Sequence, residues 1–209
     1  MPPGESPPEK TAPQPLYLVQ RFINSIDLES GEDELHSPDA LRDWLVERDL
    51  VGPGETLSDP DLERALDVRE GLRAVLRTNN GLPLDEERVE RLDRAVADAS
   101  VRVRFRPGGD PELVPDATGV DGAIARLMAI VAAAVERGDW GRLKACPREE
   151  CEWAFYDRSK NRSGRWCQME VCGNIEKARA FRERRRAAAN RGQKRRRGPA
   201  ETDPRYSTV

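Results

Sequence analysis

The spacing of four cysteines constrains the C-terminal third of this 209-residue chain more than any other feature of its sequence. They follow the pattern Cys146-x4-Cys151-x15-Cys167-x4-Cys172. Two short-spaced pairs separated by a longer segment suit a tetrahedral metal site, because each pair can approach the ion from its own turn. Thiols stay reduced in the cytoplasm, which favours metal binding over disulfides. We therefore expect all four cysteines to ligate one metal.

The ligand type also narrows the choice of metal. Soft thiolates favour zinc or an iron–sulfur cluster over hard cations, and the sole histidine, His36, lies far from the cysteines in the sequence. A Cys₄ site has no open position, so it is structural rather than catalytic. Metal binding contributes roughly 10–16 kcal/mol in such modules, enough to fold a short segment with few core side chains. We expect Zn²⁺ as the cofactor. An iron–sulfur cluster, disulfides and reduced cysteines are the alternatives.

Charge is segregated along the chain, although the net charge is only −3. Residues 142–197 contain 18 Lys and Arg against 7 Asp and Glu, whereas residues 1–141 contain 16 against 29. An acidic body with a basic end favours a polyanionic partner. The alternative is that the two halves neutralise each other, within one chain or in a dimer.

The sequence predicts neither a signal peptide nor a membrane span. The proline-rich N-terminus lacks the basic start and apolar core of a signal peptide. The longest apolar run, residues 127–135, is nine residues long, far short of the roughly 20 that a membrane span needs. We expect a soluble, cytoplasmic protein that does not associate with a membrane.

Composition and helix signals predict the domain organisation. Residues 1–15 read as a disordered leader, 16–141 as a helical domain, 142–189 as a metal-binding module with a basic helix, and 190–209 as a disordered basic tail. Within the helical domain, Ser37-Pro38, Ser58-Asp59-Pro60 and Asp85 each mark a helix start. Residues 16–26 are apolar, and their pattern allows a helix or a buried strand.

The pattern changes after residue 100. VRVRF (101–105) alternates apolar and basic residues, PGGDP is a turn signal, and ELVPD (112–116) can return as a partner strand, so we predict a β-hairpin. Residues 119–137 form the most apolar predicted helix, with an inward face of Ile124, Leu127, Met128, Val131 and Val135. The predicted fold is mainly α with a small β-hairpin, an α+β arrangement.

A basic helix is predicted to start at Asn174, which can cap it. Ile175, Ala178 and Phe181 form a narrow apolar stripe on this helix, and we expect the stripe to dock on the metal module or the first domain. Cations beside the stripe and in the loop before Cys167 would form a positive patch for nucleic acid. The candidate contacts are Arg158, Lys160, Arg162, Arg165, Lys177, Arg179, Arg182, Arg184 and Arg186.

Two stretches carry a family resemblance. CPREECEWAFYDRSKNRSGRWCQMEVCGNIEKARAFRER resembles the CGNR-type zinc finger, and LVQRFINSIDLESGEDELHSPDALRDWLVERDL resembles the start of the ABATE-type domain that precedes this finger in bacterial proteins. The resemblance covers roughly residues 16–189 and implies a transcription regulator, in some members linked to stress. Two positions depart from the family pattern. Ile175 and Gly164 stand where relatives carry arginine.

These observations predict a zinc-binding transcription regulator. Its Cys₄ module would contact DNA, while the N-terminal domain would dimerise or sense a ligand, which implies a homodimer or a small-molecule effector. An RNA- or ribosome-associated zinc protein and a protein–protein adaptor are the alternatives. We expect no enzyme activity, because the sequence lacks a Gly-rich phosphate loop, a Ser/His/Asp set and an open metal site.

Overall fold

The computed structural model describes residues 8–196, with side chains described for residues 9–187. The first seven residues of the predicted leader and residues 197–209 of the predicted tail lie outside this range. The chain divides after Cys167 into two compact units. The first contains the helical domain and three of the four cysteines, and the second contains Cys172 and the basic helix.

Helices dominate the described residues, and each short strand pairs with its neighbour in sequence. The helices are α1 (Leu16–Ile23), α2 (Pro38–Val46), α3 (Asp59–Asn79), α4 (Glu86–Ala95), α5 (Gly119–Glu136) and α6 (Asn174–Arg196). The strands are β1 (Ile26–Asp27), β2 (Glu32–Asp33), β3 (Val101–Phe105), β4 (Pro111–Pro115), β5 (Leu143–Ala145) and β6 (Ala154–Tyr156). They form three antiparallel pairs within residues 8–196: β1–β2, β3–β4 and β5–β6.

This architecture confirms the predicted mainly α fold with a small hairpin. The predicted hairpin is β3–β4, in which Val103 lies opposite Leu113. The β1–β2 and β5–β6 pairs are additional, since strands of two or three residues are too short to show a period in the sequence. In the described part of the chain, no helix is both long and apolar enough to cross a membrane.

Helix starts follow the predicted signals. The Ser37 hydroxyl accepts a hydrogen bond from Ala40 N–H at 3.1 Å, and the Asp85 carboxylate accepts one from Arg88 N–H at 3.1 Å. At the start of α3, the carboxylate of Asp61 accepts a hydrogen bond from Ser58 N–H at 2.8 Å. These bonds satisfy donors that a helix N-terminus leaves without an intrahelical partner. The pattern of residues 16–26 allowed a helix or a buried strand. In the structure, most of this segment is helix α1.

The core lies where α1, α2, α3 and α5 meet. Phe22 of α1 and Trp44 of α2 pack edge to face at its centre, with ring centroids 5.6 Å apart. Part of the predicted leader joins this core. Ala12 is buried, and its N–H donates to Gln20 Oε1 at 2.7 Å. The leader is therefore ordered at Ala12, because an α1 side chain binds its backbone.

The predicted inward face of α5 is wrong at its last position. Val135 is 55% exposed, whereas Ala134 is fully buried. The buried face of α5 includes Ala123, Leu127 and Ile130, which places its centre to one side of the predicted stripe. Alanine lets neighbouring elements approach closely. Most of the alanines of α5 therefore face the core, and the larger Val135 lies at the edge of the buried face.

Gly71 allows α3 and α4 to pack in direct contact. A Cβ atom at this position would lie 2.4 Å from Leu92 Cβ and 3.0 Å from the carbonyl oxygen of Arg88. Both are closer than van der Waals contact permits, and neither neighbour is the end of a flexible side chain. The contact between the two helices therefore depends on the missing side chain of Gly71.

We expect Gly71→Ala to lower the free energy of unfolding by about 1–3 kcal/mol, because overpacking outweighs the roughly 1 kcal/mol that alanine gains in a helix. Urea denaturation of the full-length protein measures this loss. The matched control is Gly52→Ala, since a Cβ at Gly52 meets nothing within 4 Å. Equal effects of the two substitutions would contradict the close approach.

Candidate metal centre and basic surface

The four cysteines come together from separate turns. Cys146 directly follows β5, and Cys151 lies in the turn between β5 and β6. Cys167 lies in the segment after β6, and Cys172 belongs to a single π-helical turn, Met169–Gly173, immediately before α6. The four sulfur atoms all lie within 4.8 Å of one another. Three of the four cysteines are buried, and Cys151 is partly exposed.

This geometry fits one tetrahedral ion. The Sγ atoms of Cys151 and Cys167 are 3.6 Å apart. A Zn–S bond of about 2.3 Å implies sulfur–sulfur distances of about 3.8 Å in a tetrahedron, whereas a disulfide requires about 2.05 Å. Four clustered thiol groups are also a soft donor set, which zinc binds and hard cations do not. The four cysteines therefore suit a metal ion such as zinc in number, distance and chemistry.

The loop that carries the first cysteine pair, the knuckle loop (residues 146–153), is closed by backbone hydrogen bonds. Cys146 N–H donates to Trp153 O at 3.0 Å, and Cys151 N–H donates to Arg148 O at 2.9 Å. Glu152 follows with a φ of 42°, a left-handed conformation that non-glycine residues seldom adopt. These bonds bring the two cysteines together before β6 begins.

Arginines from the helical domain hold Glu152 in this conformation. Arg73 is fully buried, and its guanidinium donates to the carbonyl oxygen of Glu152 at 3.1 Å and to that of Ile23 at 2.6 Å. The Glu152 carboxylate pairs with Arg77 and, at 3.3 Å, with Arg88. Three side chains from α3 and α4 thus bind the residue that follows Cys151.

Asparagines and a glutamine attach the β5–β6 pair to the same domain. Asn24 Nδ2 donates to Ala154 O at 2.9 Å, and Ala154 N–H donates back to Asn24 Oδ1 at 2.7 Å. Gln20 Nε2 also donates to Ala154 O at 3.0 Å. From the end of α3, Asn79 and Asn80 donate to the carbonyls of Leu143 and Ala145 at 2.9 and 2.8 Å. The strands that carry the knuckle loop are therefore part of the helical unit.

A buried ion pair shapes the loop after β6. Lys144 Nζ donates to Asp157 Oδ2 at 2.8 Å and to the carbonyl oxygens of Arg162 and Gly164 at 2.6 and 2.9 Å. Burial acts to raise the pKa of Asp157, but hydrogen bonds from Lys144 and Ser159 outweigh it and lower the pKa to about 2. The ion pair thereby ties the loop of residues 157–164 to β5.

Gly164 is required by the position of Asp157. A Cβ atom at residue 164 would lie 2.6 Å from Asp157 Oδ1 and 2.7 Å from its Cγ. Gly164 N–H donates to the same carboxylate at 2.8 Å. A side chain at residue 164 therefore has no room in this loop.

The predicted cations of this loop are exposed, and the guanidinium groups of Arg158 and Arg165 lie near aromatic rings. Arg158 lies over the ring of Tyr156 at 5.5 Å and donates to Thr11 O at 2.7 Å. Arg165 lies over Trp166 at 5.9 Å. No ion pair among the described residues involves Arg158, Lys160, Arg162 or Arg165. Their positive charges therefore remain unneutralised on the loop surface.

The predicted cations of α6 are also exposed. Arg179 pairs weakly with Glu176 at 3.8 Å and with Glu183 at 3.7 Å. Within the described range, no ion pair involves the other four candidates on this helix, Lys177, Arg182, Arg184 and Arg186. The helix continues to Arg196, seven residues into the segment predicted to be a disordered tail.

The docking of the α6 stripe on another element stays a prediction. Ile175 is 41% exposed and Phe181 is 54% exposed, and Ala178 is exposed as well. Three apolar residues give a face narrower than the roughly 100° stripe that a packed helix presents. Arg185, one turn after Phe181, lies over its ring at 5.9 Å. Within its own unit, the stripe is exposed.

Sequence reasoning missed the residues that position the site. Lys144, Asp157 and Glu152 were not predicted to have a role, because charged residues in a short polar segment are usually exposed. Arg69, Arg73 and Arg77 did offer a signal, since a spacing of four residues places all three on one face of α3. Of these, Arg69 pairs with Asp33 at 2.8 Å.

We expect Asp157→Asn to lower the free energy of unfolding by about 2 kcal/mol at neutral pH, because it breaks a buried ion pair. The pKa of Asp157 is depressed on folding, so its contribution is present above pH ~4 and is lost as the pH falls toward ~2. Urea denaturation of wild type and variant across this range should show the two converging. Asp98→Asn, an exposed control, should match wild type throughout. A difference for Asp157→Asn that did not depend on pH would contradict this assignment.

Two family models match the chain in the predicted order. The model described as "Putative stress-induced transcription regulator", ABATE, matches residues 17–137, and the CGNR zinc finger model matches residues 142–185. No curated protein matches the chain. The second match includes all four clustered cysteines and ends within α6. Since the first alone covers more than half of the chain, the protein belongs to the ABATE family and carries a C-terminal CGNR zinc finger.

Proposed function

We propose that the protein is a cytoplasmic transcription regulator that binds zinc through its four cysteines and DNA through the basic surface of the zinc finger and α6. It acts by binding and not by catalysis. The observation that carries the proposal is the position of Cys172, because the turn that contributes this ligand leads directly into a helix with five exposed candidate cations. A metal at the cysteines would fix the start of that helix.

Zinc is supported by the donor set. Four thiol sulfurs within 4.8 Å leave no place for a substrate or water on the ion, so the metal has a structural role. When bound, zinc supplies charge neutralisation for clustered thiolates and a rigid link between the cysteine pairs. The knuckle loop already has its backbone bonds and its contacts with Arg73, so it needs little rearrangement to bind.

DNA contact is supported by positively charged side chains that make no ion pair with the rest of the described chain. Most of the candidate cations are exposed and make no ion pair within the described residues, so they are available to phosphates. Neutralising phosphates releases condensed counterions, which gives affinity that does not depend on sequence. The ABATE description, a stress-induced transcription regulator, agrees with this use of the basic surface.

In this proposal the N-terminal domain dimerises or senses a small-molecule effector. An open groove of about 390 Å³ between β4 and α5 supports the second role. Leu113 and Ile130 contribute apolar surface to it, and Arg126 and Arg137 are also among its lining residues. This combination suits a small ligand with an apolar body and an anionic group.

We expect the purified full-length protein to contain one zinc ion per chain and to be colourless. Cys172→Ser should lose most of the zinc, because a tetrahedral thiolate site loses a ligand, whereas Val171→Ser, an exposed neighbour, should keep it. Elemental analysis and an absorption spectrum of anaerobically purified protein provide the measurement. Visible absorption with bound iron would contradict the zinc assignment and favour an iron–sulfur cluster.

Replacing Arg179, Arg182 and Arg186 together by alanine should weaken binding to a mixed-sequence DNA duplex. Each lost phosphate contact lowers the slope of log affinity against log salt by about 0.9, so a fall of up to about three units is expected. Fluorescence anisotropy at several salt concentrations measures both effects.

The charge-matched control replaces Arg42, Arg91 and Arg94 of the helical domain by alanine, which changes the net charge equally. Weakening by both triple variants would show that only net charge matters and would reject the assigned helix. Tighter binding of a structured RNA than of the duplex would favour the RNA-associated alternative.

A further inference from the structure

The β3–β4 hairpin has an apolar face whose large side chains are exposed. Val101, Val103 and Phe105 alternate along β3 and so share one face, and Leu113 lies opposite Val103 on that face. All four are exposed large apolar residues. Adjacent apolar side chains of this size on so small an element are typical of an interaction surface.

The outer edge of β3 is open for pairing. Asp116 N–H donates to Ser100 O at 3.1 Å, and Arg106 N–H donates to Asp110 O at 2.9 Å. In an antiparallel ladder hydrogen-bonded pairs alternate, so even-numbered residues of β3 bond to β4. The N–H and C=O groups of Val101, Val103 and Phe105 therefore point away from β4.

The outer edge of β4 differs from that of β3. Pro111 and Pro115 occupy outward-facing positions of β4, and proline has no N–H to donate to another strand. The sequence of β3, VRVRF, contains no proline. The hairpin therefore offers one edge that can extend the sheet and one edge that is blocked.

The residues of β3 are complementary to a second copy of the same strand. In an antiparallel pair centred on Val103, apolar residues face apolar residues and Arg102 faces Arg104. That like-charge contact is offset within each chain, because Arg102 pairs with Asp116 at 3.2 Å and Arg104 pairs with Glu112 at 2.9 Å. A two-fold interface requires this kind of self-complementary surface.

We propose that β3 pairs antiparallel with β3 of a second copy, across a two-fold axis at Val103, to form a continuous four-stranded sheet. Val103 forms a hydrogen-bonded pair with its own counterpart, and Val101 lies opposite Phe105 of the second copy. The two apolar faces join into one surface twice the size of the original. This interface rests on the proposed dimerisation of the N-terminal domain, for which it supplies the surface, and it holds whether or not the protein binds nucleic acid.

Sedimentation of the full-length protein over a concentration series tests the interface. Val103→Pro removes the outward N–H at the axis without touching the β3–β4 ladder, and Val103→Lys places two like charges face to face. Each should raise the dimer dissociation constant at least about tenfold. The control is Val135→Lys, because Val135 is 55% exposed and Val103 is 56% exposed.

We expect wild type and Val135→Lys to dimerise and both Val103 variants to be monomeric, with circular dichroism and metal content like those of wild type. One folded Val103 variant is sufficient for the comparison. Three results would each overturn the proposal: a monomeric wild type at every soluble concentration, Val103 variants that still dimerise, or a Val135→Lys variant that dissociates as they do.

Discussion

The buried guanidinium of Arg73 is the interaction on which the arrangement of the first unit depends. Removing such a charge from water costs several kcal/mol unless its donors find partners. Arg73 meets this requirement by binding Glu70 at 2.9 Å and the carbonyls of Ile23 and Glu152. These partners lie in α3, at the end of α1 and in the knuckle loop. The three segments must therefore hold their relative positions for the charge to stay satisfied.

Residues outside the zinc finger match hold part of the zinc finger in place. The family match begins at Arg142, but the first cysteine pair is held by side chains from α1, α3 and α4. The compact unit that contains the helical domain extends to Cys167. The sequence pattern identifies the cysteines that can bind metal. The residues that position these cysteines are identified by their contacts in the structure. Changes in the helical domain can therefore affect the cysteine cluster through Glu152.

The predictions from sequence succeeded where residues close together in the sequence determine the structure. Helix caps such as Ser37 act within one turn, and the four cysteines depend on spacing and thiol chemistry alone. Prediction failed where distant partners decide the outcome. Val135 looked like core because it is large and apolar, yet the helix buries its alanine face. For Arg73 the sequence predicted no role, since nothing near it in sequence shows that Glu152 completes its hydrogen bonds.

The contact between Gly164 and Asp157 has a consequence for how this loop can evolve. An arginine at residue 164 would displace the Asp157 carboxylate, and Lys144 would then be left buried without its counterion. A lineage could gain the arginine only by changing the other two positions as well. Residues 144, 157 and 164 should therefore covary among relatives as one unit, with glycine at 164 accompanying the lysine–aspartate pair.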